Sequence, residues 1–258
     1  AREAIVFGQD APQLVAALLT ITALRIGHRA ALGAVRDLIW GLASVLALQT
    51  LLPLLLGGFV LVGLGQTPAA LAVTLAAAAP ALTGSVNLAL LMRLDAGRMM
   101  QLMVLGTAAF PLTVLPVLAA LPQLGPASEI ALAALRLLAV ILGATGLGFA
   151  LRHVFLPQPT PRQTEALDGA SVLAFSVIVV GLMAALNPAL RSDPWAVACW
   201  TLLAFALSYL LQAGTLLLTR RGPLRAVAGP LAIGAGNRNI ALFLVALPAA
   251  VSYTHLTL

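Results

Sequence analysis

The sequence predicts an all-α polytopic membrane protein, and its composition and the pattern of its apolar runs support that prediction. The 258-residue chain is 61% hydrophobic and only 9% charged, which is not the composition of a soluble domain. Apolar stretches of about 18 or more residues, long enough to cross a bilayer, follow one another almost to the end. They are continuous runs of Leu, Ala and Val, without the alternating polarity in about ten-residue blocks that marks a transmembrane barrel.

About eight spans are expected, joined by short loops rich in Gly, Pro and Arg. The expected spans are residues 11–26, 37–61, 69–92, 98–121, 128–151, 167–187, 195–219 and 224–250. We expect residues 1–250 to be a single membrane transporter domain, a fragment lacking a first and a last span. Residues 251–258 differ abruptly in composition and are expected to be a non-native tail.

The basic residues predict the orientation of these spans. The net charge is +6 and every basic residue is Arg. Most of them fall in odd-numbered loops: Arg25, Arg29 and Arg36; Arg93 and Arg98; Arg152 and Arg162; Arg220, Arg221 and Arg225. The positive-inside rule places those loops in the cytoplasm, so the expected partner is the lipid bilayer and no nucleic acid is expected. We expect an integral protein of a bacterial inner (plasma) membrane.

Two of the expected spans are broken in the middle. The third is interrupted at residues 79–87, and the eighth at residues 229–230 and 234–239. Unpaired backbone groups cost several kcal/mol in hydrocarbon, so each break must be surrounded by protein or water. The two broken spans are five apart and opposite in direction. That spacing predicts an inverted repeat of five helices per half, with two broken crossing helices at the binding site of a secondary transporter.

Polar side chains follow the proline of the first break. Thr83, Ser85 and Asn87 come after Pro80, which removes a backbone N–H and clashes with the preceding turn. Gly84 lets the chain bend, so the second half of the span can present a helix N-terminus whose partial positive charge attracts an anion. These three residues are therefore candidate substrate-binding residues. The alternative is that the hydroxyls bond to their own helix and only kink it.

The second break carries Asn237, Arg238 and Asn239, which are also candidate substrate-binding residues. A guanidinium near the bilayer centre costs several kcal/mol unless it is paired or hydrated. We expect Arg238 to face a cavity, where it would bind a substrate carboxylate or replace a cation. The alternative is that it extends to the membrane interface.

Other intramembrane polar residues give one further candidate. Gln49 lies in mid-span, where it either lines the cavity or bonds a neighbouring helix. Asp95 and Asp168, at cytoplasmic ends, are expected to be structural. The three histidines lie in loops or in the tail, and no metal-ligand spacing and no nucleophile with a plausible base is present. We therefore expect no enzyme activity, no catalytic residue, no metal site and no cofactor.

The first break and the residues after it resemble a known family. Pro80, Thr83, Ser85, Arg93 and Asp95 have the spacing of the Pro-Gly-Gly-Thr-x-Ser-Asn and Arg-Gly-Asp motifs of the bile acid:sodium symporter family. Residues 236–242 are similar to the second crossover helix of that family, and the resemblance extends over nearly the whole chain up to residue 250. It implies a panel domain and a core domain, transport of organic anions, commonly with sodium, and substrate contacts at the positions of Thr83 and Asn239.

Several positions depart from the family pattern. Val86 replaces the family Asn, Met99 and Met103 replace hydroxyl residues, Gly234 replaces a Glu, and Arg238 replaces a Gln. Thioether sulfur is a poor ligand for a hard cation, so most side-chain sodium ligands are missing. The hypothesis is that the Arg238 guanidinium stands where sodium stands in the family, although sodium as a coupling ion stays open.

The expected function is secondary transport of small organic anions. One alternative is a carrier of the arsenite or auxin-efflux type, which shares the broken-helix plan. An arsenite carrier favours a Cys at the first break, and none is present there. The other alternative is a non-transporting membrane sensor module.

Overall fold

The computed structural model describes residues 13–27, 37–65, 67–121, 127–183 and 186–243. These residues form helices and turns, with one isolated β-bridge and no strand among them, which confirms the all-α prediction. The end of the eighth expected span, residues 244–250, and the tail, residues 251–258, lie outside the described residues.

Twelve α-helices are found in the described ranges. They are α1 (Gln13–Gly27), α2 (Leu38–Leu46), α3 (Leu52–Leu64), α4 (Pro68–Ala78), α5 (Ser85–Leu91), α6 (Ala96–Thr113), α7 (Leu115–Ala119), α8 (Ala127–Phe155), α9 (Pro161–Met183), α10 (Leu186–Ser192), α11 (Pro194–Thr219) and α12 (Ala228–Gly236). A π-helical turn, Ala47–Leu51, joins α2 to α3, and short 3₁₀ turns lie at Arg225–Val227 and Ile240–Leu242.

Five stretches of the described chain are long and apolar enough to cross a membrane. They are Leu38–Gly63, Ala96–Ala119, Ser128–Phe155, Pro161–Ser192 and Pro194–Thr219. Large apolar side chains such as Ile39, Val62 and Leu218 point away from the protein and are almost fully exposed. Hydrocarbon is the solvent in which such faces are stable, so the chain is an integral membrane protein by length and composition. The total of about eight spans and the inverted repeat stay predictions.

Side-chain caps fix where several helices begin. The Asp95 carboxylate accepts from the backbone N–H of Arg98 at the start of α6, and Asp193 accepts from that of Ala196 at the start of α11. Each cap satisfies one of the first N–H groups of a helix, which have no partner within the helix. Asp95 therefore has a structural role here.

The two broken regions lie at the centre of the largest group of helices. Almost all of α12 is buried, and it packs closely against α11, where the Ser208 hydroxyl donates to the carbonyl of Gly236 at 3.0 Å. The rings of Phe110 in α6 and Phe243 meet edge to face, with centroids 5.2 Å apart. Contacts between α12, α6 and α5 complete this group, so protein surrounds the inner part of each break, whereas Gly84 in the first break is exposed.

α8 holds α1 in place through two contacts. A Cβ atom added at Gly148 would lie 2.5 Å from the carbonyl oxygen of Thr20, so the two helices touch backbone to backbone. One turn later, Nη1 of Arg152 donates to the last carbonyls of α1, those of Leu24 at 2.7 Å and Arg25 at 2.9 Å. A cation at this position also interacts favourably with the negative end of the helix dipole.

Replacing Gly148 by Ala should destabilise the protein, because the new methyl group has to push α1 away from α8. Overpacking of this kind costs about 1–3 kcal/mol. Thermal unfolding in detergent measures the effect. Gly146→Ala is the matched control on the same helix, since nothing lies within 4 Å of its added Cβ. Equal unfolding temperatures for the two variants would contradict the close packing of α1 on α8.

Candidate functional site

The first break is an extended segment between α4 and α5. Ala79 has φ −59° and ψ 149°, the extended backbone that a following proline imposes. Pro80 has no N–H to continue the ladder of α4, and the chain runs through Ala81 and Leu82 before α5 begins at Ser85. The observed break, residues 79–84, lies within the interruption expected at residues 79–87, and residues 85–87 already belong to α5.

The second break follows α12 and is shorter than expected. Residues 229–230 lie in the first turn of α12, where a proline is tolerated, and residues 234–236 form its last turn, so only residues 237–239 are broken. Asn237 has φ −96° and ψ 92°, and Asn239 has φ −90° and ψ 75°, so the backbone leaves the helical region at both residues. The Asn237 side chain turns back and donates from Nδ2 to the carbonyl of Ile233 at 3.0 Å, which caps the end of α12. Asn237 therefore acts locally, as the cap of the helix that precedes it.

The two breaks pair with each other. Ala81 and Arg238 form an isolated antiparallel β-bridge. The N–H of Asn239 donates to the carbonyl of Pro80 at 2.8 Å, and the N–H of Leu82 donates to that of Asn237 at 2.9 Å. Each broken helix therefore supplies the hydrogen-bond partners that the other lacks, which makes broken backbone tolerable inside a membrane protein.

The guanidinium of Arg238 binds the carbonyls left over at this junction. Nε donates to Ala235 at 2.7 Å, Nη1 to Ala79 at 2.9 Å and Nη2 to Leu48 at 3.0 Å. Ala235 lies in the last turn of α12, Ala79 ends α4, and Leu48 lies in the π-helical turn. Arg238 thus ties the ends of α4 and α12 to the π-helical turn between α2 and α3. Its three partners are carbonyl oxygens, the kind of group that also binds a cation, and its part in substrate binding stays a prediction.

Asn239, Ser85 and Gln49 are buried around the same junction. Only 7% of Asn239 and 2% of Ser85 are accessible, and the Ser85 hydroxyl has no hydrogen-bond partner among the described residues. Gln49 accepts from the Thr113 hydroxyl at 2.9 Å, and its Nε2 lies against Gly106. The contacts of Gln49 are those of a residue that joins two helices, which was the alternative to lining a cavity.

Thr83 and Asn87 line a separate polar cavity of about 160 Å³ beside the first break. Its walls come from α1, from the first break with α5, and from α9. The lining residues are Leu18, Thr22, Arg25, Leu82, Thr83, Gly84, Asn87, Asp168, Ser171, Val172 and Phe175. A second cavity, about 150 Å³ between α4 and α11, is lined only by apolar residues. The cavity beside the first break is therefore the better candidate for a charged or polar solute.

Two charged residues face each other in this polar cavity. The Arg25 guanidinium forms an ion pair with the carboxylate of Asp168 through Nε, and its Nη2 donates to Oδ1 of Asn87 at 3.2 Å. One side chain of α1 thereby contacts both α9 and α5. The cavity holds one positive and one negative group, and both are partly exposed.

Sequence reasoning missed Thr22, Arg25, Asp168 and Ser171 as site residues. Arg25 was assigned to the first loop and to membrane orientation, whereas it lies in the last turn of α1. Asp168 was expected to be structural, and its ion pair does join two helices, but it does so in the cavity wall. Thr22 and Arg25, like Asp168 and Ser171, are three residues apart, so each pair shares a helix face. That spacing was the available signal.

Side chains in the described ranges offer no ready metal site. No group of three or more His, Cys, Asp or Glu lies close together there. The carbonyls at the junction, which are the oxygen ligands that a hard cation prefers, accept from Arg238 instead. No protein-family model matches this chain, and no curated protein matches it at a significant level.

Arg238→Gln should strongly destabilise the protein, since a shorter neutral side chain leaves carbonyls of Leu48, Ala79 and Ala235 without donors. An unsatisfied buried acceptor costs about 1–3 kcal/mol, so the loss should amount to several kcal/mol. Thermal unfolding in detergent measures it, with Arg225→Gln, at an exposed arginine, as the control.

A rescue experiment separates the lost cation from the lost side chain. Low millimolar guanidinium should raise the unfolding temperature of Arg238→Ala and leave wild type unchanged. If Arg238→Gln unfolds at the wild-type temperature, the junction does not depend on this cation.

Proposed function

We propose that this chain is the carrier domain of a secondary transporter for small organic anions, similar in plan to the bile acid:sodium symporters. The observation that supports this most is the pairing of two broken helices at a buried junction, with a polar cavity beside it. Discontinuous helices of this kind form the substrate sites of many secondary transporters, at the interface of inverted repeats. In this proposal α4 with α5, and α12 with the segment after it, are the corresponding helices of the two repeats.

The walls of the cavity suggest how access alternates. α1 and α8 are held together by Gly148 and Arg152, and both share one apolar core with α4, α6 and Phe243, so they are packed into the junction group. α9 joins α1 through the ion pair of Arg25 with Asp168. We infer that α9 moves against the rest of the described helices. Such a movement opens or closes the cavity between α9 and the walls formed by α1 and α5.

The charge distribution supports a cavity that faces the cytoplasm. Arg25 and Arg152 lie together at the end of α1, and Arg25 reaches Asn87 in α5. Arg93 and Arg98 follow α5 and flank the start of α6. The positive-inside rule expects helix ends that are rich in arginine on the cytoplasmic face of the membrane. We therefore place this end of the cavity in the cytoplasm and the protein in a bacterial inner membrane.

The junction also supports transport without sodium. The methyl group of Met99 lies 3.5 Å from the position of a Cβ added at Gly234, and the Cδ1 atom of Leu102 lies 3.6 Å from it. Apolar groups therefore fill the space that a Glu side chain would occupy. Met99 and Met103 are buried in one cluster with Ala81 and Leu102. In this proposal Arg238 supplies a permanent positive charge at the junction, and its guanidinium takes carbonyls that could otherwise bind a cation.

Uptake by proteoliposomes that contain the full-length protein should be unchanged when sodium is replaced by potassium. The probes are radiolabelled pyruvate and benzoate at neutral pH, with protein-free liposomes to subtract passive flux. We expect accelerated exchange of external for internal probe, because an uncoupled carrier equilibrates its substrate across the membrane.

Two results would count against this proposal in different ways. Uptake that requires a sodium gradient would refute the role of Arg238 as the fixed cation while leaving transport intact. Binding of the probes without any flux would favour the alternative of a membrane sensor module.

A further inference from the structure

Arg25, which lines the polar cavity, has N–H groups that are not used in hydrogen bonds to the described residues. Arg238 uses one N–H each of Nε, Nη1 and Nη2 for a backbone carbonyl and does not line this cavity. Arg25 uses Nε for Asp168 and one N–H of Nη2 for Asn87. The other N–H groups of Arg25, two on Nη1 and one on Nη2, have no partner among the described residues. A guanidinium presents its donors in a planar fork that matches a carboxylate.

We propose that Arg25 binds the carboxylate of the transported solute, and that Asp168 occupies Arg25 in the empty carrier and is displaced when the solute enters. This inference rests on the proposed function and adds the recognition residue, the ligand chemistry and an internal competitor. No covalent step is involved, and one ion pair exchanges for another.

The exposure of the two partners makes the exchange feasible. The side chain of Asp168 is 45% accessible, whereas that of Arg25 is 21% accessible. A carboxylate that is nearly half exposed can be hydrated once it leaves its partner, so its release costs little. The guanidinium is more enclosed and needs an anion or hydrogen-bond acceptors at all times. The incoming carboxylate meets that need, and Arg25 is never left unpaired.

The other walls of the cavity define the rest of the solute. The Thr22 hydroxyl is buried without a hydrogen-bond partner among the described residues, and Thr83 and Ser171 bring further hydroxyls. Leu18, Leu82, Val172 and Phe175 form an apolar wall. An apolar cavity of about 150 Å³ holds a benzene ring, so a volume of about 160 Å³ suits a monocarboxylate with a ring or short-chain body. Benzoate is a probe of that size, and benzamide is its neutral counterpart.

Displacement of Asp168 also links binding to movement. The ion pair joins α1 to α9, so its loss frees α9 from α1 at this end of the cavity. The contact between Arg25 and Asn87 joins α1 to α5 and lies on the opposite wall. A bound carboxylate therefore weakens one wall contact and can strengthen the other, which gives the loaded and the empty carrier different stable arrangements.

Equilibrium binding to the full-length protein in nanodiscs tests this exchange, with benzoate and benzamide titrated by calorimetry. Arg25→Gln should weaken benzoate binding by about tenfold or more, because it removes a charge-assisted pair. Asp168→Asn should tighten it severalfold, because the competitor is gone. Benzamide should bind more weakly than benzoate to wild type. Arg162→Gln, which removes an exposed arginine in the first turn of α9, is the control and should leave binding unchanged.

The double variant Arg25→Gln/Asp168→Asn guards against misfolding. It removes both charges together, so no unpaired ion remains in the cavity, and it should fold but bind benzoate as weakly as Arg25→Gln. Three results would overturn the inference: no benzoate binding to either wild type or Asp168→Asn, equal affinity in wild type and Arg25→Gln, or weaker binding in Asp168→Asn. The last result would indicate that Asp168 positions Arg25 for the anion and does not compete with it.

Flux measured on the same variants separates this inference from the proposed function. Benzoate binding that depends on Arg25 but produces no exchange across proteoliposomes would refute transport and keep the site. Exchange of pyruvate or benzoate at the wild-type rate in Arg25→Gln would keep transport and refute the site.

Discussion

The structure depends on satisfying backbone hydrogen bonds where two helices stop inside a membrane protein. Hydrocarbon offers no partner for a free N–H or C=O, and each unpaired group costs several kcal/mol. Here the two broken segments pair as a short antiparallel bridge, and Arg238 takes the carbonyls that the bridge leaves over. Each break is stable in the membrane because the other break supplies its hydrogen-bond partners.

Arg238 also offsets the negative partial charge of the helix ends at the junction. α4 and α12 both end there, and a helix C-terminus carries roughly half a negative elementary charge. Two such ends facing each other would repel in a medium of low dielectric constant. The guanidinium offsets them and is covalently attached, so the compensation is independent of any ion concentration outside. Met99 packs against Gly234 at this junction, and this apolar contact is consistent with the proposal that Arg238 takes the place of a bound cation.

Hydropathy made the long apolar helices predictable, and local backbone chemistry located the first break, whereas residues 229–230 and 234–236, expected as parts of the second break, are helical. Proline removes a donor wherever it occurs, so Pro80 identified the first break without any knowledge of its surroundings. Contacts across the chain were not predictable in this way. Arg25 is an unremarkable arginine at a helix end until α9 and α5 are packed beside it, and the partners of Gln49 likewise depend on which helix lies opposite. Periodicity gives the face of a helix but not its neighbour.

Arg238 and Arg25 differ in what they bind, and this difference separates their proposed roles. Arg238 is held by the neutral backbone carbonyls of Leu48, Ala79 and Ala235, which do not cancel its positive charge. It cannot leave without removing the hydrogen-bond donors of the junction. That charge is weakly screened inside the protein and raises the potential of the adjoining segment, Leu82 and Thr83, which lines the cavity. Arg25 is held by a carboxylate that water can replace, so its pairing is exchangeable. In the proposed carrier, the field of Arg238 attracts the anion and Arg25 binds it by direct contact, so the two roles fall on different residues.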